Sequence, residues 1–222
     1  MSGKTALVPL EKVWELRLAE TAKSLEDNGF AATVHTDMAA AMDYFKNTLL
    51  PEVKPASVGV GGSETVRLSG FYEYINSRKD IVFNNPYAPG LTPEQGIAMR
   101  RQGLISDLFV TSTNALLRDG RLLNLDGFGN RVAAMCFGPS KVVIFAGRNK
   151  IVDDLDAGVA HIRGFAAPGN NIRLNKTNPC TKTGSCMDCK SSGRVCNYWV
   201  LTERCFPAKK IHVLLINEDH GY

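Results

Sequence analysis

The sequence lacks the long apolar runs that would place a chain in a membrane. No stretch approaches the roughly 18 consecutive apolar residues that a membrane-spanning helix needs. Residues 1–20 also lack a sustained apolar core followed by a small-residue cleavage site, so we expect no signal peptide. These two absences predict a cytoplasmic protein with no membrane span.

A large excess of charge of one sign is also missing. The net charge is +4 and the isoelectric point is near 8.7, which is too small and diffuse an excess to indicate a nucleic-acid-binding protein. Hydrophobic residues make up 44% and charged residues 22% of the 222 residues, as in ordinary globular proteins. This mixture excludes disorder, collagen and coiled coil as descriptions of the whole chain. The length suits one large domain, or one domain with a small appendage.

Segments typical of strands and of helices alternate along most of the chain. Residues 56–60 and 141–146 are short apolar runs typical of buried strands, residues 92–95 begin a helix with a capping box, and Thr36 is positioned to cap another helix. Alternation at these lengths is typical of βαβ units. The sequence therefore predicts an α/β fold, a three-layer sandwich around a mostly parallel sheet.

One segment departs from this alternation. Residues 175–207 are rich in Cys, Lys, Ser and Gly and show no sustained hydrophobic period. We expect residues 1–174 and 208–222 to form the α/β domain. Residues 175–207 are then an irregular Cys-rich excursion, held in place by something other than an apolar core.

A glycine-rich turn follows the predicted strand at residues 56–60. Gly61, Gly62, Ser63, Glu64 and Thr65 would present free backbone N–H groups at the start of a helix, an arrangement that suits a phosphate or a carboxylate. The motif is neither a Walker A loop nor a dinucleotide-binding fingerprint. The alternative interpretation is a tight turn in which Ser63 is the helix N-cap.

Polar loops follow three further predicted strands. Their candidate ligand-binding residues are Thr111, Ser112 and Asn114, then Asp126, Gly127, Gly129, Asn130 and Arg131, and finally Asn149 and Lys150. Because ligands of open α/β sheets bind at the carboxyl ends of the strands, we expect all these loops to line one pocket along one edge of one sheet and to bind a small anion. Arg131 could grip a carboxylate. Turn formation and solvated surface charge are the alternative roles of these residues.

Two carboxylates are candidates for catalysis, although the sequence does not decide whether the protein is an enzyme. Asp126 follows an apolar strand and could orient a substrate hydroxyl or act as a base. Glu218 lies just past the last predicted strand, near the end of the sequence. A solvated surface position is the alternative for Glu218.

Four cysteines are concentrated in the 17 positions from Cys180 to Cys196. Cys186 and Cys189 lie between these two. In a reducing compartment such a cluster is more typical of a metal site than of disulfide bridges. Four thiolates can hold a zinc ion or a [4Fe–4S] cluster, and the spacing fits neither class cleanly. Zinc and iron–sulfur therefore both stay open, beside a redox pair and free thiols.

The two other cysteines have less specific surroundings. Cys205 lies close enough in sequence to serve as a reserve ligand. Cys136 lies in an apolar run, and we expect it to be buried in the core. The four histidines are far from the cysteine cluster in sequence, so we expect them to be structural or surface residues.

Four ordered motifs are spread over nearly the whole chain. They are residues 58–70 (VGVGGSETVRLSG), 106–152 (SDLFVTSTNALLRDGRLLNLDGFGNRVAAMCFGPSKVVIFAGRNKIV), 167–197 (APGNNIRLNKTNPCTKTGSCMDCKSSGRVCN) and 216–222 (INEDHGY). Together these motifs resemble the LUD-domain, or lactate-utilisation, family. The Cys segment is a departure from the simplest members of that family.

The resemblance implies both a fold and a functional context. The implied fold is similar to that of the sugar-isomerase and CoA-transferase superfamily. The implied context is the conversion of L-lactate to pyruvate by a set of iron–sulfur and LUD-domain proteins. The chain would be either a subunit that binds a small carboxylate or phosphorylated ligand, or a non-catalytic assembly or electron-transfer subunit that docks to an iron–sulfur oxidoreductase. A homo-oligomer is compatible with both.

Overall fold

The structure is a computed structural model that describes residues 8–222. The expectation about a signal peptide concerns, in part, residues 1–7, which lie outside the described residues. No helix in the described part of the chain is long and apolar enough to cross a membrane.

Strands and helices alternate along the chain. The strands within residues 8–222 are β1 (Ala31–His35), β2 (Ser57–Val60), β3 (Val82–Asn84), β4 (Leu108–Thr111), β5 (Ala115–Leu117), β6 (Leu122–Asp126), β7 (Lys141–Gly147), β8 (Ile151–Val152), β9 (Tyr198–Thr202) and β10 (Ile211–Ile216). The α-helices of the same residues are α1 (Val8–Asp27), α2 (Met38–Tyr44), α3 (Leu50–Val53), α4 (Glu64–Arg67), α5 (Phe71–Ser77), α6 (Pro93–Leu104), α7 (Asn130–Cys136), α8 (Leu155–His161), α9 (Ala167–Arg173) and α10 (Cys180–Thr183). Two π-helical turns, Phe45–Leu49 and Ile162–Ala166, join α2 to α3 and α8 to α9, and a 3-10 turn, Arg148–Lys150, follows β7.

The central sheet has six strands in the order β1-β10-β7-β4-β2-β3, and every neighbouring pair is parallel. Helices cover both of its faces, which is why its middle strands are apolar at almost every position. On β7, Val143 and Phe145 pack into the core under α2 and α5, whereas Val142 and Ile144 pack into the core under α1 and α7. The predicted three-layer α/β sandwich with a mostly parallel sheet is confirmed.

A second, smaller sheet is not apparent from the sequence. It has four strands in the order β8-β5-β6-β9, in which β5 pairs antiparallel with β6, and β6 pairs antiparallel with β9. The expectation that all the polar loops follow strands of one sheet is therefore wrong. Asp126 ends β6 of the smaller sheet, whereas Gly61 follows β2 of the central sheet.

The Cys-rich segment is less irregular than its composition indicates. Residues 198–202 form β9, an edge strand of the smaller sheet whose Trp199 lies opposite Leu125 of β6. An edge strand of five residues, which pairs with a single neighbouring strand, gives only a short hydrophobic pattern in the sequence. Such a pattern is not recognisable among the surrounding Lys, Ser and Gly residues. The stretch from residue 185 to residue 197 contains no helix or strand.

The two isolated cysteines differ from each other. Cys136 is exposed, so the expectation that it is a core residue is wrong. It occupies the last turn of α7, where Ala134 and Met135 face the core and the Cys136 side chain faces away. Cys205 is buried in the core under α1, where its Sγ accepts a hydrogen bond from the Ile211 backbone N–H at 3.3 Å.

Candidate functional site

A cavity of about 540 Å³ lies where loops from the two sheets meet. The loops that follow β2, β4 and β6 form one part of its wall, and α9 and the Cys-rich segment form another. The predicted ligand-binding residues that line it are Gly62, Ser63, Glu64, Thr65, Ser112, Asn114, Asp126, Gly127, Asn130, Arg131 and Lys150. The fold thus brings most of the predicted residues to one cavity, although they come from two sheets, and their roles in binding stay predictions.

Four predicted residues do not line the cavity. Gly61 and Thr111 lie behind its wall, where a Cβ on Gly61 would be 2.5 Å from Thr111 Oγ1. Gly129 is the residue before α7 and adopts a left-handed conformation with φ of 81°. Asn149 holds the end of the chain, because its Oδ1 accepts a hydrogen bond from the His220 backbone N–H at 2.9 Å. These residues shape the loops that carry the lining residues.

The turn after β2 exposes backbone to the cavity at Gly62. A Cβ on Gly62 would lie 2.6 Å from Tyr87 Oη, so a side chain at this position would have to displace the Tyr87 hydroxyl. Ser63 Oγ accepts a hydrogen bond from the Val66 backbone N–H at 3.2 Å and caps α4. The N-cap interpretation of Ser63 is therefore confirmed, because its Oγ accepts the hydrogen bond that caps the helix.

Arg131 organises the polar floor of the cavity. Its Nε donates to Asp126 Oδ1 at 3.1 Å, and its Nη2 donates to Asn114 Oδ1 at 2.7 Å and to the Leu125 carbonyl at 3.1 Å. The guanidinium is buried, so these interactions satisfy donors that water does not reach. Arg131 therefore joins the loops after β4 and β6, and its guanidinium N–H groups already donate hydrogen bonds to acceptors of the protein.

The two carboxylate oxygens of Asp126 differ in their hydrogen bonding. Its Oδ2 is buried and has no hydrogen-bond partner among the described residues, whereas Oδ1 is held by Arg131. A buried carboxylate oxygen without a partner is costly, and a ligand hydroxyl or amide could supply the missing donor. The geometry is consistent with the predicted role of Asp126 in orienting a hydroxyl.

Glu218 lies outside the cavity lining. Its Oε2 accepts a hydrogen bond from the Met38 backbone N–H at 3.0 Å, at the start of α2, and lies 2.9 Å from His220 Nε2. The hydrogen bond from His220, followed by that from Met38, lowers the pKa of Glu218. These contacts join the end of the chain to α2 and do not bring Glu218 to the cavity.

Lys150 places a buried amine in the cavity wall. Its side chain is 3% exposed, and Nζ donates to the main-chain oxygen of Tyr222 at 2.6 Å. Burial, and then the positive charge of Arg131, lower the pKa of Lys150 to about 7. A ligand anion close to this amine would favour its protonated form, so Lys150 suits a site for negative charge.

Positive charge predominates around the cavity. Its cationic lining residues are Arg100, Arg131, Lys150, Arg173, Lys176 and Arg194, and its carboxylates are Glu64 and Asp126. Within residues 8–222, no carboxylate forms a salt bridge with Arg100 or with Lys176. Arg100 lies over the rings of Tyr87 and Phe128, 5.5 and 5.0 Å from their centroids. A concave site with such an excess of cations concentrates anions.

Several lining residues carry no signal in the sequence. Arg100 lies within α6, Arg173 ends α9, and Arg194 belongs to the Cys-rich segment. None of them follows a predicted strand, which is the signal that marks the other candidates. The Cys-rich segment forms part of the cavity wall, and only the tertiary structure reveals this.

A second, smaller cavity brings the clustered cysteines together. Cys180, Cys186, Cys189 and Cys196 all line this space of about 20 Å³, whereas Cys205 does not. Within residues 8–222, no group of three or more His, Cys, Asp or Glu side chains is arranged so that it could hold a metal ion as it stands. The thiols therefore share a cavity without forming a completed ligand set.

The comparison with known families agrees with the architecture. The family model of the LUD domain matches residues 18–216 of the chain. The chain belongs to the LUD-domain family. This family is associated with lactate utilisation.

One solved structure is similar to this LUD-domain chain in outline. It is the crystal structure of a DUF162 family protein from Deinococcus radiodurans, determined at 1.70 Å resolution. The two chains are 12% identical, with a TM-score of 0.49, and the similarity covers 91% of this chain and 98% of that one. No curated protein sequence matches this chain.

Proposed function

We propose that this LUD-domain protein is a component of an L-lactate utilisation system, and that its large cavity binds a small carboxylate or a phosphorylated ligand. The observation that carries the proposal is the charge of the lining, in which five arginine and lysine side chains, together with the Lys150 amine whose pKa is about 7, outnumber two carboxylates. Arg100 and Lys176 have no carboxylate partner within residues 8–222, so they are available to a ligand. An anion that enters would replace part of the hydration of these groups with charge-assisted hydrogen bonds.

The proposed binding mode assigns two polar regions to the ligand. Its carboxylate or phosphate lies toward Arg100 and Lys176, and a ligand hydroxyl donates to the unpartnered oxygen of Asp126. In a 2-hydroxy acid such as lactate, both groups occur on adjacent carbon atoms. Arg131 acts indirectly in this mode, because it holds Asp126 and Asn114 in position.

The volume of the cavity bears on the class of ligand. A volume of about 540 Å³ falls within the range of roughly 300–1,000 Å³ that is usual for small-molecule and cofactor sites. A three-carbon acid would fill only part of it. We infer that a phosphorylated ligand, or a small acid together with a second molecule, suits the cavity better than lactate alone.

The direct test is calorimetric titration of the purified full chain with L-lactate, pyruvate, inorganic phosphate and adenosine diphosphate, each at two salt concentrations. We expect at least one of these anions to bind with one site per chain and to bind more weakly at high salt, because screening weakens the attraction to the cationic lining. The absence of binding by all four anions would contradict the proposal.

A second candidate function is docking to an iron–sulfur oxidoreductase of lactate oxidation. The observation that favours it is a pair of exposed apolar side chains at the ends of two packed helices: Ile105 follows α6 and is 76% exposed, and Phe137 follows α7 and is 93% exposed. Neighbouring apolar side chains that together form a contiguous exposed patch often mark a protein interface.

Co-purification distinguishes this second function from the first. We name the surface that contains Ile105 and Phe137 the α6–α7 face. If this face binds the iron–sulfur oxidoreductase, Phe137→Asp should reduce co-purification with it. Phe165→Asp, which changes another exposed phenylalanine, should not. Equal capture of both variants would show that the α6–α7 face is not the interface. L-lactate oxidation by the purified chain alone, with an added electron acceptor, would instead favour a catalytic subunit.

A further inference from the structure

The four clustered thiols converge from separate parts of the backbone. Cys180 begins α10, Cys186 and Cys189 lie in the irregular stretch that follows, and Cys196 lies just before β9. All of them are free thiols. Each of the four side chains extends to the small cavity from a different part of the segment. Closeness in sequence alone would not place them at one cavity, so the fold brings them together.

The segment that carries these thiols has little apolar burial to hold it in place. From Cys180 to Cys196, the only hydrophobic side chain in the core is that of Cys180, and Met187 is 62% exposed. Ordering the backbone costs about 1–2 kcal/mol per residue. A source of stabilisation other than apolar packing is therefore needed, and metal binding supplies folding free energy directly in such segments.

Polar groups around the cavity suit negatively charged sulfur. Asn171 Nδ2 donates to Cys196 Sγ at 3.8 Å, and the Asp188 backbone N–H donates to Cys186 Sγ at 3.4 Å. Arg194 lines the cavity and is fixed by hydrogen bonds to the carbonyls of Cys189 and Cys196, at 2.5 and 2.8 Å. N–H groups directed at sulfur, with a cation beside them, are what orient and stabilise thiolate ligands in metal sites.

We propose that Cys180, Cys186, Cys189 and Cys196 bind one thiophilic metal ion of the zinc class, and that the ion holds the wall between the two cavities. A space of about 20 Å³ accommodates roughly one water-sized sphere, which suits a single ion better than a cluster of four irons and four sulfides. Four thiolates complete the tetrahedral set that structural zinc requires. Binding includes an inward rotation of the thiols, because they do not form a completed ligand set as they stand.

The site has a consequence for the larger cavity. Arg194 lines both cavities, and its neighbours Gly193 and Val195 line the larger one. The ion therefore orders a wall of the ligand cavity, and removing it loosens that wall. This consequence rests on the proposed anion-binding function, whereas the metal site itself does not.

The test uses the full chain, purified without added metal and under reducing conditions. Elemental analysis and zinc titration of the chelator-treated protein are compared for the wild type, Cys189→Ser and Cys136→Ser, the last of which removes an exposed thiol far from the cavity in sequence. We expect about one zinc per chain in the wild type and in Cys136→Ser, and loss of stoichiometric zinc in Cys189→Ser. Limited proteolysis should then cut residues 185–197 only in the metal-free forms.

Three results would show that the four cysteines do not form a metal site. The first is a wild-type protein that neither contains nor takes up zinc. The second is full retention of zinc by both the Cys189→Ser variant and the Cys196→Ser variant. The third is the presence of disulfide bonds among the four cysteines in protein that was alkylated at lysis. Stoichiometric iron with sulfide would overturn the single-ion identity and assign the thiols to a cluster. Zinc binding with no anion binding would leave the metal site intact and count only against the proposed ligand function.

Discussion

At the scale of single residues, the absence of a side chain at Gly62 contributes to the shape of the cavity of about 540 Å³, which we propose as the ligand cavity. The residue is exposed to the cavity, and its missing Cβ leaves the space that the hydroxyl of Tyr87 occupies. Its backbone does not have a positive φ, so the requirement for glycine is one of space. A larger side chain must therefore displace Tyr87 or enter the cavity itself.

We predict that Gly62→Val weakens anion binding at least about tenfold, while it lowers the free energy of unfolding by only about 1 kcal/mol, as is usual for changes outside the core. Gly164→Val is the matched control, because a Cβ at Gly164 meets open space. Calorimetric titration and urea denaturation of both variants check the prediction. Equal affinities in the two variants would contradict it.

Arg131 shows what can and cannot be predicted residue by residue. Its proximity to Asp126 follows from a separation of five positions across a glycine turn. Its bonds to Asn114 and to the Leu125 carbonyl depend on the pairing of β5 with β6, which is a property of the tertiary structure. The sequence therefore indicates a functional arginine, and only the structure shows that its donors are already engaged.

At the scale of secondary-structure elements, helix α2 begins at Met38 as expected, but its N-cap lies one residue later than the sequence indicates. The N-cap is Asp37, whose Oδ1 accepts a hydrogen bond from the Ala40 backbone N–H at 2.8 Å, and the expected cap Thr36 instead donates to Asp37 Oδ2. Thr and Asp are both favourable caps, so their adjacency leaves the choice to tertiary geometry. The capping box of α6 at Thr92 and Gln95 is confirmed, since no rival cap adjoins it.

The cap of α2 gives a prediction with a matched pair of variants. Asp37→Ala should lower the free energy of unfolding by about 1 kcal/mol, because it leaves the start of the helix without an acceptor. Thr36→Ala should lower the free energy of unfolding by only a few tenths of the loss expected for Asp37→Ala. Urea denaturation of the two variants measures the difference, and a larger loss in Thr36→Ala would show that the cap is wrongly assigned.

Strand β10 carries a buried histidine beside the β1 edge of the central sheet. The Nε2 of His212 lies 3.3 Å from Thr33 Oγ1, and its ring lies 5.9 Å from that of Tyr44. Burial, followed by the nearby charges of Lys141 and His35, lowers the pKa of His212 from 6.5 to about 4. His35, whose own pKa is also lowered by burial, and Asp37 lie on the same side of the sheet.

This histidine predicts a loss of stability in mild acid. Between pH 6.5 and 4 the unfolded chain binds a proton at His212 that the folded chain does not, so the free energy of unfolding falls as the pH falls. The contribution is at most about 3 kcal/mol, because a pKa difference of one between the folded and unfolded chain corresponds to roughly 1.4 kcal/mol. His212→Gln should reduce the slope of unfolding free energy against pH in this window. An unchanged slope would contradict the assignment.

At the scale of the whole molecule, the central sheet is predictable from the sequence and the smaller sheet is not. Strands such as β7 are apolar at almost every position because helices cover both faces, and this signal is local. The smaller sheet pairs β6 with β9 across more than 70 positions of sequence. A pairing that distant leaves no local pattern, so Asp126 can be recognised as a strand-end residue but not assigned to the correct sheet.

The same long-range pairing explains why the Cys-rich segment resembles a separate excursion in the sequence. Strand β9 anchors the segment to β6, and the hydrogen bond from the Asn197 backbone N–H to the Asp126 carbonyl, at 2.8 Å, brings its polar stretch to the ligand cavity. The thiol cavity and the ligand cavity are therefore neighbours that share Arg194. The sequence shows that four cysteines are clustered, but only the fold shows that they lie beside the ligand cavity.

If this LUD-domain cavity binds anions, as we propose, two neighbouring arginines should differ in their effect on binding. Arg100 and Arg101 are adjacent on α6, but only Arg100 lines the cavity. We measure the dissociation constant of the tightest-binding anion for the wild type, Arg100→Met and Arg101→Met. We expect a loss of about 1.5–3 kcal/mol of binding free energy in Arg100→Met, or roughly ten- to a hundredfold in affinity, and no change in Arg101→Met. Equal affinity in all three proteins would contradict it.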